Sequence, residues 1–306
     1  MRAAADRPHV VIVGPTASGK SALALALAAH LHATGEVVEI ISVDSMQVYR
    51  GMDIGTATPG ADELAQVRHH VVNCLDPAEE CSVSWFQRAA LDALADLEAR
   101  GGRALFVGGT GLYHRAVIDR LQIPGQFPEV FAELDEEPDV SRLHARLVEL
   151  DPEAAEKMEP TNRRRILRAL EVTVGSGRRF STYGPGMESY PDSPYRMIGL
   201  SVARDRLGPL LEDRLARQMS RGFLAEVESL LTSERPLSRT ARQALGYREL
   251  IDHVEGRLTL QEAINVASVR TRQFGVRQDR WFRRDPRIEW FDAETRPDIA
   301  TLAGTL

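Results

Sequence analysis

Short β-branched runs alternate with longer stretches of helical period along the first 120 residues. HVVIVG, bounded by Gly14, predicts a buried strand of the parallel-sheet type. SALALALAAHLHATG follows, with apolar residues on every side and Gly35 as a stop, and predicts a buried helix packed on a sheet. VVEIISVD predicts a second strand ending at Asp44, WFQRAALDALADLEARGG a further helix, and RALFVGG a strand running into a glycine turn. This alternation implies an α/β parallel sheet. The pattern breaks near residue 121. From IPGQFPEV to about Tyr195 the chain has helical periodicity punctuated by prolines, and SRLHARLVEL places Leu143, Leu147 and Leu150 on one face. YRMIGLSVA then reads as a strand returning to the sheet, followed by helices down to a turn at RIEWF. The expected organisation is an α/β core from 1–120 and 194–306, with its C-terminal helices, and an all-helical insertion at 121–193. The acidic stretch between Glu133 and Asp139 reads as solvated surface.

Composition narrows the class without choosing a function. With 306 residues, 43% apolar and 27% charged, the chain is an ordinary globular one. Disorder, collagen-like order and a disulfide scaffold are excluded. The net charge of −6 argues against a uniformly basic nucleic-acid coat but leaves local patches open. Only Lys20 and Lys157 are lysines, and the remaining basic residues are arginines. Cys74 and Cys81 have no second pair to complete a zinc site and point to a reducing compartment. The start, MRAAADRPHV, lacks the apolar core of a secretory signal, and no run reaches the roughly 18 apolar residues of a membrane span. A cytoplasmic protein with no membrane partner is expected.

GPTASGKS, Gly14 to Ser21, fits the phosphate-loop pattern G-x-x-x-x-G-K-[ST] with a strand before it and a helix after it. The glycines let backbone N–H groups converge on an anion at a helix N-terminus. Lys20 would place a cation on the terminal phosphates, and Ser21 would offer an oxygen to Mg²⁺. A phosphate-loop nucleotidase usually carries a magnesium-binding Asp at the end of an apolar strand. Here ALFV ends in Gly108, Gly109 and Thr110. The strand-end carboxylate near the site is Asp44, which could hold Mg²⁺, act as a general base, or simply cap its own turn.

GPTASGKS, SVDSMQVYRGMDIGTATP, VGGTGLYHRAVI, RRILRALEV, ALGYRE and TRQFGVRQDRWFRR, in this order from residue 14 to about 284, together resemble the tRNA dimethylallyltransferase (tRNA isopentenyltransferase, IPP transferase) family. The second and third segments are far more specific than the phosphate loop. The resemblance implies a P-loop NTPase-like parallel core with an inserted helical domain that grips tRNA. It implies transfer of a dimethylallyl group from dimethylallyl diphosphate to the exocyclic amine of the adenosine immediately 3′ of the anticodon (adenosine-37), in tRNAs reading codons that begin with U. On this resemblance Gly14, Pro15, Thr16, Ala17, Ser18, Gly19, Lys20 and Ser21 hold the allylic diphosphate, with Mg²⁺, and Asp44 is the general base. Asp44, Ser45, Met46 and Gln47 contact the tRNA anticodon stem-loop, and so do Thr110, Arg164, Arg165, Ile166, Leu167 and Arg168. Gln243, Ala244, Leu245, Gly246, Tyr247 and Arg248 form another tRNA segment, and Arg277 and Gln278 a further one. Gly275-Val276 replaces the family's usual Ala-Lys before them, removing one cation. The family also keeps an arginine that reaches the diphosphate, matched by Arg214 in LLEDRLARQMSRGFLAEVESL, a segment that reads as one amphipathic helix.

The chemistry is compatible with so small a kit. An adenine amino nitrogen is a poor nucleophile, so a base that accepts its proton helps. The allylic carbon delocalises its own positive charge, and the help is needed by the leaving diphosphate, where N–H donors, Lys20 and Mg²⁺ act electrostatically. The target base must leave its stack and enter a pocket, a smaller cost in an anticodon loop than in a duplex. Gln47 and Tyr49 are candidates for a base-edge and a packing contact.

Two basic segments stand against the acidic background. In NRRRILRALEVTVG, Ile166, Leu167, Leu170 and Val174 share one face while Arg164, Arg165 and Arg168 point away from it. An exposed basic face suits phosphate contact, though such faces are commonly just solvated. Between Arg270 and Arg287 there are seven arginines and two acids; if helical, Arg270, Arg277, Arg280 and Arg284 fall on one arc, and Trp281 and Phe282 pack inward or stack on bases. Three rivals remain. An isopentenyltransferase acting on free adenine nucleotides would need neither the insertion nor the basic run. A small-molecule kinase would want the carboxylate missing after ALFV. A nucleotide-responsive RNA-binding module would have no use for a base at Asp44. Nothing in the sequence requires more than a monomer.

Overall fold

The computed structural model describes residues 7–184, 186–295 and 297–305. Strands β1 (Val10–Val13), β2 (Val38–Ser42), β3 (His69–His70), β4 (Arg103–Val107), β5 (Arg196–Ser201) and β6 (Glu289–Asp292) form one sheet in the order β3-β2-β4-β1-β5-β6. Every pair is parallel; in the centre Val10 stands opposite both Leu105 and Arg196. Successive β1 side chains feed opposite faces, Val11 and Val13 into one core and Val10 and Ile12 into the other, so the uninterrupted apolar run reflects burial on both sides. RIEWF, read as a turn, supplies β6, an edge strand whose ends are exposed. β3, only two residues long, carries no sequence signal.

The helices are α1 (Lys20–Ala33), α2 (Ala61–Gln66), α3 (Val83–Ala99), α4 (Gly111–Ile118), α5 (Pro128–Asp135), α6 (Val140–Leu150), α7 (Pro152–Glu156), α8 (Arg163–Ser176), α9 (Arg204–Ser220), α10 (Phe223–Leu231), α11 (Arg239–Arg242), α12 (Tyr247–Val254), α13 (Leu260–Phe282) and α14 (Ile299–Gly304). Helix α1 is not buried all round. Leu23, Ala24, Leu27, Ala28 and Leu31 face the core while Ala22, Ala26 and Ala29 are exposed, because alanine tolerates water and favours helix wherever it sits. The single helix expected around Arg214 is two, α9 and α10, broken at Gly222 with φ 96°.

The chain divides into two compact units, Met1–Asp119 with Asp192–Leu306, and Arg120–Pro191. The second unit is helical, with its own core of Leu134, Leu143, Leu147, Ile166, Leu167, Ala169 and Leu170. Leu150 and Val174, placed on the apolar faces by periodicity, are 37% and 38% exposed. Each lies in the last turns of its helix, beyond the reach of that core. The acidic stretch Glu133–Asp139 is more than solvated surface: Asp135 pairs with Arg163 at 2.9 Å, and Asp139 caps α6 through the Ser141 N–H at 2.9 Å.

Candidate active site

The turn after β1, the turn after β2 and the turn after β4 all leave the carboxyl ends of neighbouring parallel strands, where open α/β sheets bind ligands. The first is the phosphate loop. Ser18 N–H donates to the Pro15 carbonyl at 3.2 Å, and Gly19 enters α1 with φ 85°. Lys20 lies in the first turn of α1 and folds back over the loop, donating from Nζ to the Pro15 carbonyl at 2.7 Å. The Ser18 hydroxyl is buried with no hydrogen-bond partner among the described residues. A buried hydroxyl free to donate at the start of a helix, within a phosphate-loop motif, suits an anionic ligand. Thr16 and Ala17 are half-buried and Ser21 is exposed.

Asp44 lies two residues beyond β2. One carboxylate oxygen accepts the Met46 N–H at 2.9 Å, the local turn cap that its residue type favours. Its other oxygen has no hydrogen-bond partner among the described residues. The cap fixes the carboxylate but leaves it half its acceptors. Lys20, Asp44 and Arg214 lie within electrostatic reach of one another. Burial first, and then the Arg214 guanidinium, push the Lys20 ammonium down to about 7, with Asp44 acting in the opposite sense. Burial also lowers Arg214, with Asp44 opposing and Arg217 adding to the effect. Two desolvated cations facing one carboxylate beside an anion-binding loop form a site short of negative charge.

The structure separates the other expected residues. Ser45, Met46 and Gln47 are half-buried, but the Gln47 amide is engaged inside the protein: its Oε1 accepts from Ser42 at 2.7 Å, and its Nε2 donates to the carbonyls of Thr56 and Ala57 at 3.4 and 3.0 Å. This fits a residue that shapes the turn better than one that reads a base edge. Tyr49, offered as a base-packing residue, is fully buried, donating to Thr240 at 2.9 Å and accepting from Cys81 N–H at 3.0 Å. Thr110 opens α4 half-buried, its side chain unused as a cap.

Within α8, Arg164 and Arg165 are exposed, whereas Ile166 and Leu167 are core residues, so their side chains cannot face RNA. Arg168 does not point into solvent as periodicity predicts. It pairs with Glu171 at 2.8 Å and donates to the Pro124 carbonyl at 2.9 Å. In the 243–248 segment Gln243 and Arg248 are exposed and Leu245 half-buried, but Ala244, Gly246 and Tyr247 are buried, and Tyr247 donates to Glu226 at 2.6 Å. In α13, Arg277 and Arg280 are exposed, Arg270 pairs with the buried Glu249, and Arg284 falls beyond the helix end. Phe282 is core and Trp281 half-buried against it. Gln278 is buried: its Oε1 accepts from Thr16 N–H at 2.8 Å and its Nε2 donates to the Gly109 carbonyl at 2.9 Å. It serves the phosphate loop from inside.

Sequence reasoning missed Glu226 and Gln218. Both hold the 53–57 segment by its backbone, and nothing local in either stretch signals it.

The fold, a parallel sheet with a phosphate-loop motif between β1 and α1, is the P-loop-like α/β kind found among group transferases. The model of the family described as IPP transferase matches residues 47–285, and that described as isopentenyl transferase matches residues 9–73. A tRNA dimethylallyltransferase of Kineococcus radiotolerans is 44% identical over 300 residues, covering 97% of this chain and 94% of that protein. One of Streptomyces coelicolor is 42% identical, covering 100% of this chain and 98% of that one. Among solved structures, the tRNA isopentenylpyrophosphate transferase of Bacillus halodurans superposes with a TM-score of 0.69 at 35% identity, covering 97% of this chain and 95% of that one. A eukaryotic dimethylallyltransferase acting on tRNA gives 0.75 at 26% identity, covering 93% and 73%. The chain belongs to the IPP transferase family, the tRNA dimethylallyltransferases.

Proposed function

We propose that this protein transfers a dimethylallyl group from dimethylallyl diphosphate to the exocyclic amine of adenosine-37, beside the anticodon of tRNAs reading codons that begin with U. Family membership supports a tRNA prenyltransferase. The observation that carries the chemistry is the grouping of a phosphate loop with Lys20, Arg214 and a half-free Asp44. The adenine nitrogen forms a bond to the allylic carbon as the carbon–oxygen bond breaks. Its electron pair leaves with diphosphate, and the amine proton passes to Asp44. Loop N–H groups, Ser18, Lys20 and Arg214 face the charge that accumulates on the leaving group, which is where a preorganised site does most.

The residues present suit Mg²⁺. Ser21 offers a hydroxyl at the start of α1, and the Asp44 carboxylate keeps an oxygen that its turn cap does not use. Mg²⁺ characteristically binds through substrate phosphates with few protein ligands, and when bound it neutralises diphosphate charge. Arg164, Arg165, Gln243, Arg248, Arg277 and Arg280 are exposed and form the set for RNA contact. No described helix is long and apolar enough to cross a membrane; a cytoplasmic monomer meeting its tRNA there is the simplest setting.

The test is a single incubation with Mg²⁺, labelled dimethylallyl diphosphate, labelled ATP, unmodified tRNA and AMP. Prenyl label on tRNA is expected. Label on AMP alone would instead assign the free-nucleotide reaction, and phosphate transfer from ATP a kinase.

A further inference from the structure

The 53–57 segment follows the Asp44–Gln47 turn and is held from both sides. On one side three successive backbone N–H groups converge on one carboxylate. Asp53 and Ile54 donate to Glu226 Oε2 at 2.9 and 2.7 Å, and Gly55 donates to Oε1 at 3.2 Å. Tyr247 Oη adds a fourth donor at 2.6 Å. No arginine or lysine pairs with Glu226 among the described residues, so its charge is satisfied by neutral donors alone. Gln218 Nε2 fastens the same segment, donating to the carbonyls of Ile54 and Gly55 at 2.8 and 2.7 Å. Gly55 is compressed beneath two rings. A Cβ there would stand 2.3 Å from Phe223 and 2.4 Å from Tyr247.

The next carbonyls face the site. Thr56 O accepts from Arg214 Nη2 at 3.4 Å, the one side-chain hydrogen bond Arg214 makes among the described residues. Gln47 Nε2 donates to Thr56 O and Ala57 O. A peptide plane carries the N–H of one residue and the carbonyl of the residue before it, so clamping the Ile54 and Gly55 N–H groups fixes the Asp53 and Ile54 carbonyls. Those two carbonyls accept from Thr58 N–H at 2.9 Å and Ala57 N–H at 3.2 Å, whose own planes carry the Ala57 and Thr56 carbonyls. Consecutive N–H groups closing on an anion form a rigid nest, and charge-assisted bonds are about twice as strong as neutral ones. Arg214 carries a long side chain with much rotamer freedom to lose. Its aim is set by whatever holds Thr56.

We infer that Glu226 is a positioning residue for the transfer reaction: by clamping the N–H groups of residues 53–55 it fixes, through the turn that closes at Ala57 and Thr58, the Thr56 carbonyl that aims Arg214 toward the diphosphate. Glu226 touches no substrate. The inference rests on Arg214 being a diphosphate ligand. A misplacement of about 1 Å can cost on the order of 10²-fold in rate. Loss of the clamp should therefore appear in catalysis as well as in folding.

The experiment uses the full chain with a tRNA transcript and dimethylallyl diphosphate, comparing wild type, Glu226→Gln, Glu226→Asp, Arg214→Ala and the combinations with Arg214→Ala. The amide of Glu226→Gln keeps the size but points a donor at donors, and should lower kcat/KM for dimethylallyl diphosphate by about 10–100-fold while tRNA Kd stays within about twofold. In the Arg214→Ala background the same change should cost less than about twofold, because two residues acting through one contact are not additive. Glu226→Asp should recover part of the loss. Multiplicative effects in the double variant would overturn the inference, as would normal kinetics in a merely less stable Glu226→Gln protein. If Glu226→Gln does not fold, the milder Glu226→Asp pair decides by the same cycle. A wild type that prenylates no tRNA defeats the functional reading itself, a result distinct from either.

Discussion

Gln278 holds Thr16 by its backbone N–H at 2.8 Å, so a residue of α13 fixes the phosphate loop 262 positions earlier in the chain. The other end of the same amide takes the Gly109 carbonyl, joining the loop after β1 to the turn after β4. Gly109 makes room for it: a Cβ there would stand 2.2 Å from Gln278 Nε2. Gln278→Leu keeps the volume but strands the buried Gly109 carbonyl and the part-buried Thr16 N–H, costing about 1–3 kcal/mol. Lower thermal stability and a raised KM for dimethylallyl diphosphate are expected, with tRNA affinity unchanged. Filter binding together with a melting curve checks this. Weakened tRNA binding at unchanged stability would return Gln278 to the RNA surface.

Asp44→Asn keeps a side-chain oxygen for the Met46 N–H and so preserves the turn, but it cannot take a proton from the amine. Transfer should fall by about 10²–10⁴-fold, the usual worth of a general base. Binding of tRNA should persist. Single-turnover assays beside an equilibrium tRNA titration separate the two, and full activity in this variant would remove Asp44 from the proton path.

The arginines of α8 divide into two kinds. Arg164 and Arg165 are exposed, whereas Arg168 is bound to Glu171 and the Pro124 carbonyl. Replacing Arg164 and Arg165 by Ala should weaken tRNA binding and flatten its dependence on log salt by roughly 0.7 for each phosphate no longer neutralised. Arg168→Ala should instead lower the stability of the helical unit and leave the salt slope alone. Equal slopes in all three proteins would mean that this face is only solvated.

Legibility followed distance along the chain. Strand β1 is an uninterrupted apolar run, β2, β4 and β5 are short runs dominated by apolar residues, and the phosphate loop and Asp44 lie in continuous motifs, so short-range pattern suffices to read them. β6 is a four-residue edge strand with exposed ends and reads as a turn. The α9–α10 break depends on the left-handed backbone at Gly222, a helix-ending signal that the sequence does carry. Arg168, Tyr247 and Gln278 belong to motif segments resembling RNA-contact stretches, yet each is turned inward by a partner that local sequence does not reveal. Glu226 was invisible for the same reason. Its first backbone partner lies 173 positions away.

A pH dependence follows from the far end of β2. Glu39 is buried, receives two bonds from Arg100 at 2.8 and 2.9 Å, and pairs with His70 at 2.6 Å. The Arg100 hydrogen bonds above all hold its carboxyl down at about 2, His70 contributes in the same direction, and burial opposes them. The folded value lies below the unfolded one, so the charged form is the one that folding favours. This contribution to stability is complete above the ordinary value of 4.5 and is lost as pH falls toward 2. Arg100 is partly in water, which screens the pair and keeps the effect modest. Glu39→Gln cannot ionise, so it should be less stable than wild type near neutrality and should lose less on acidification. Urea unfolding from about pH 6 down to about pH 3 checks this. The two curves should draw together toward the acid end, and parallel curves would mean that Glu39 carries no linked proton.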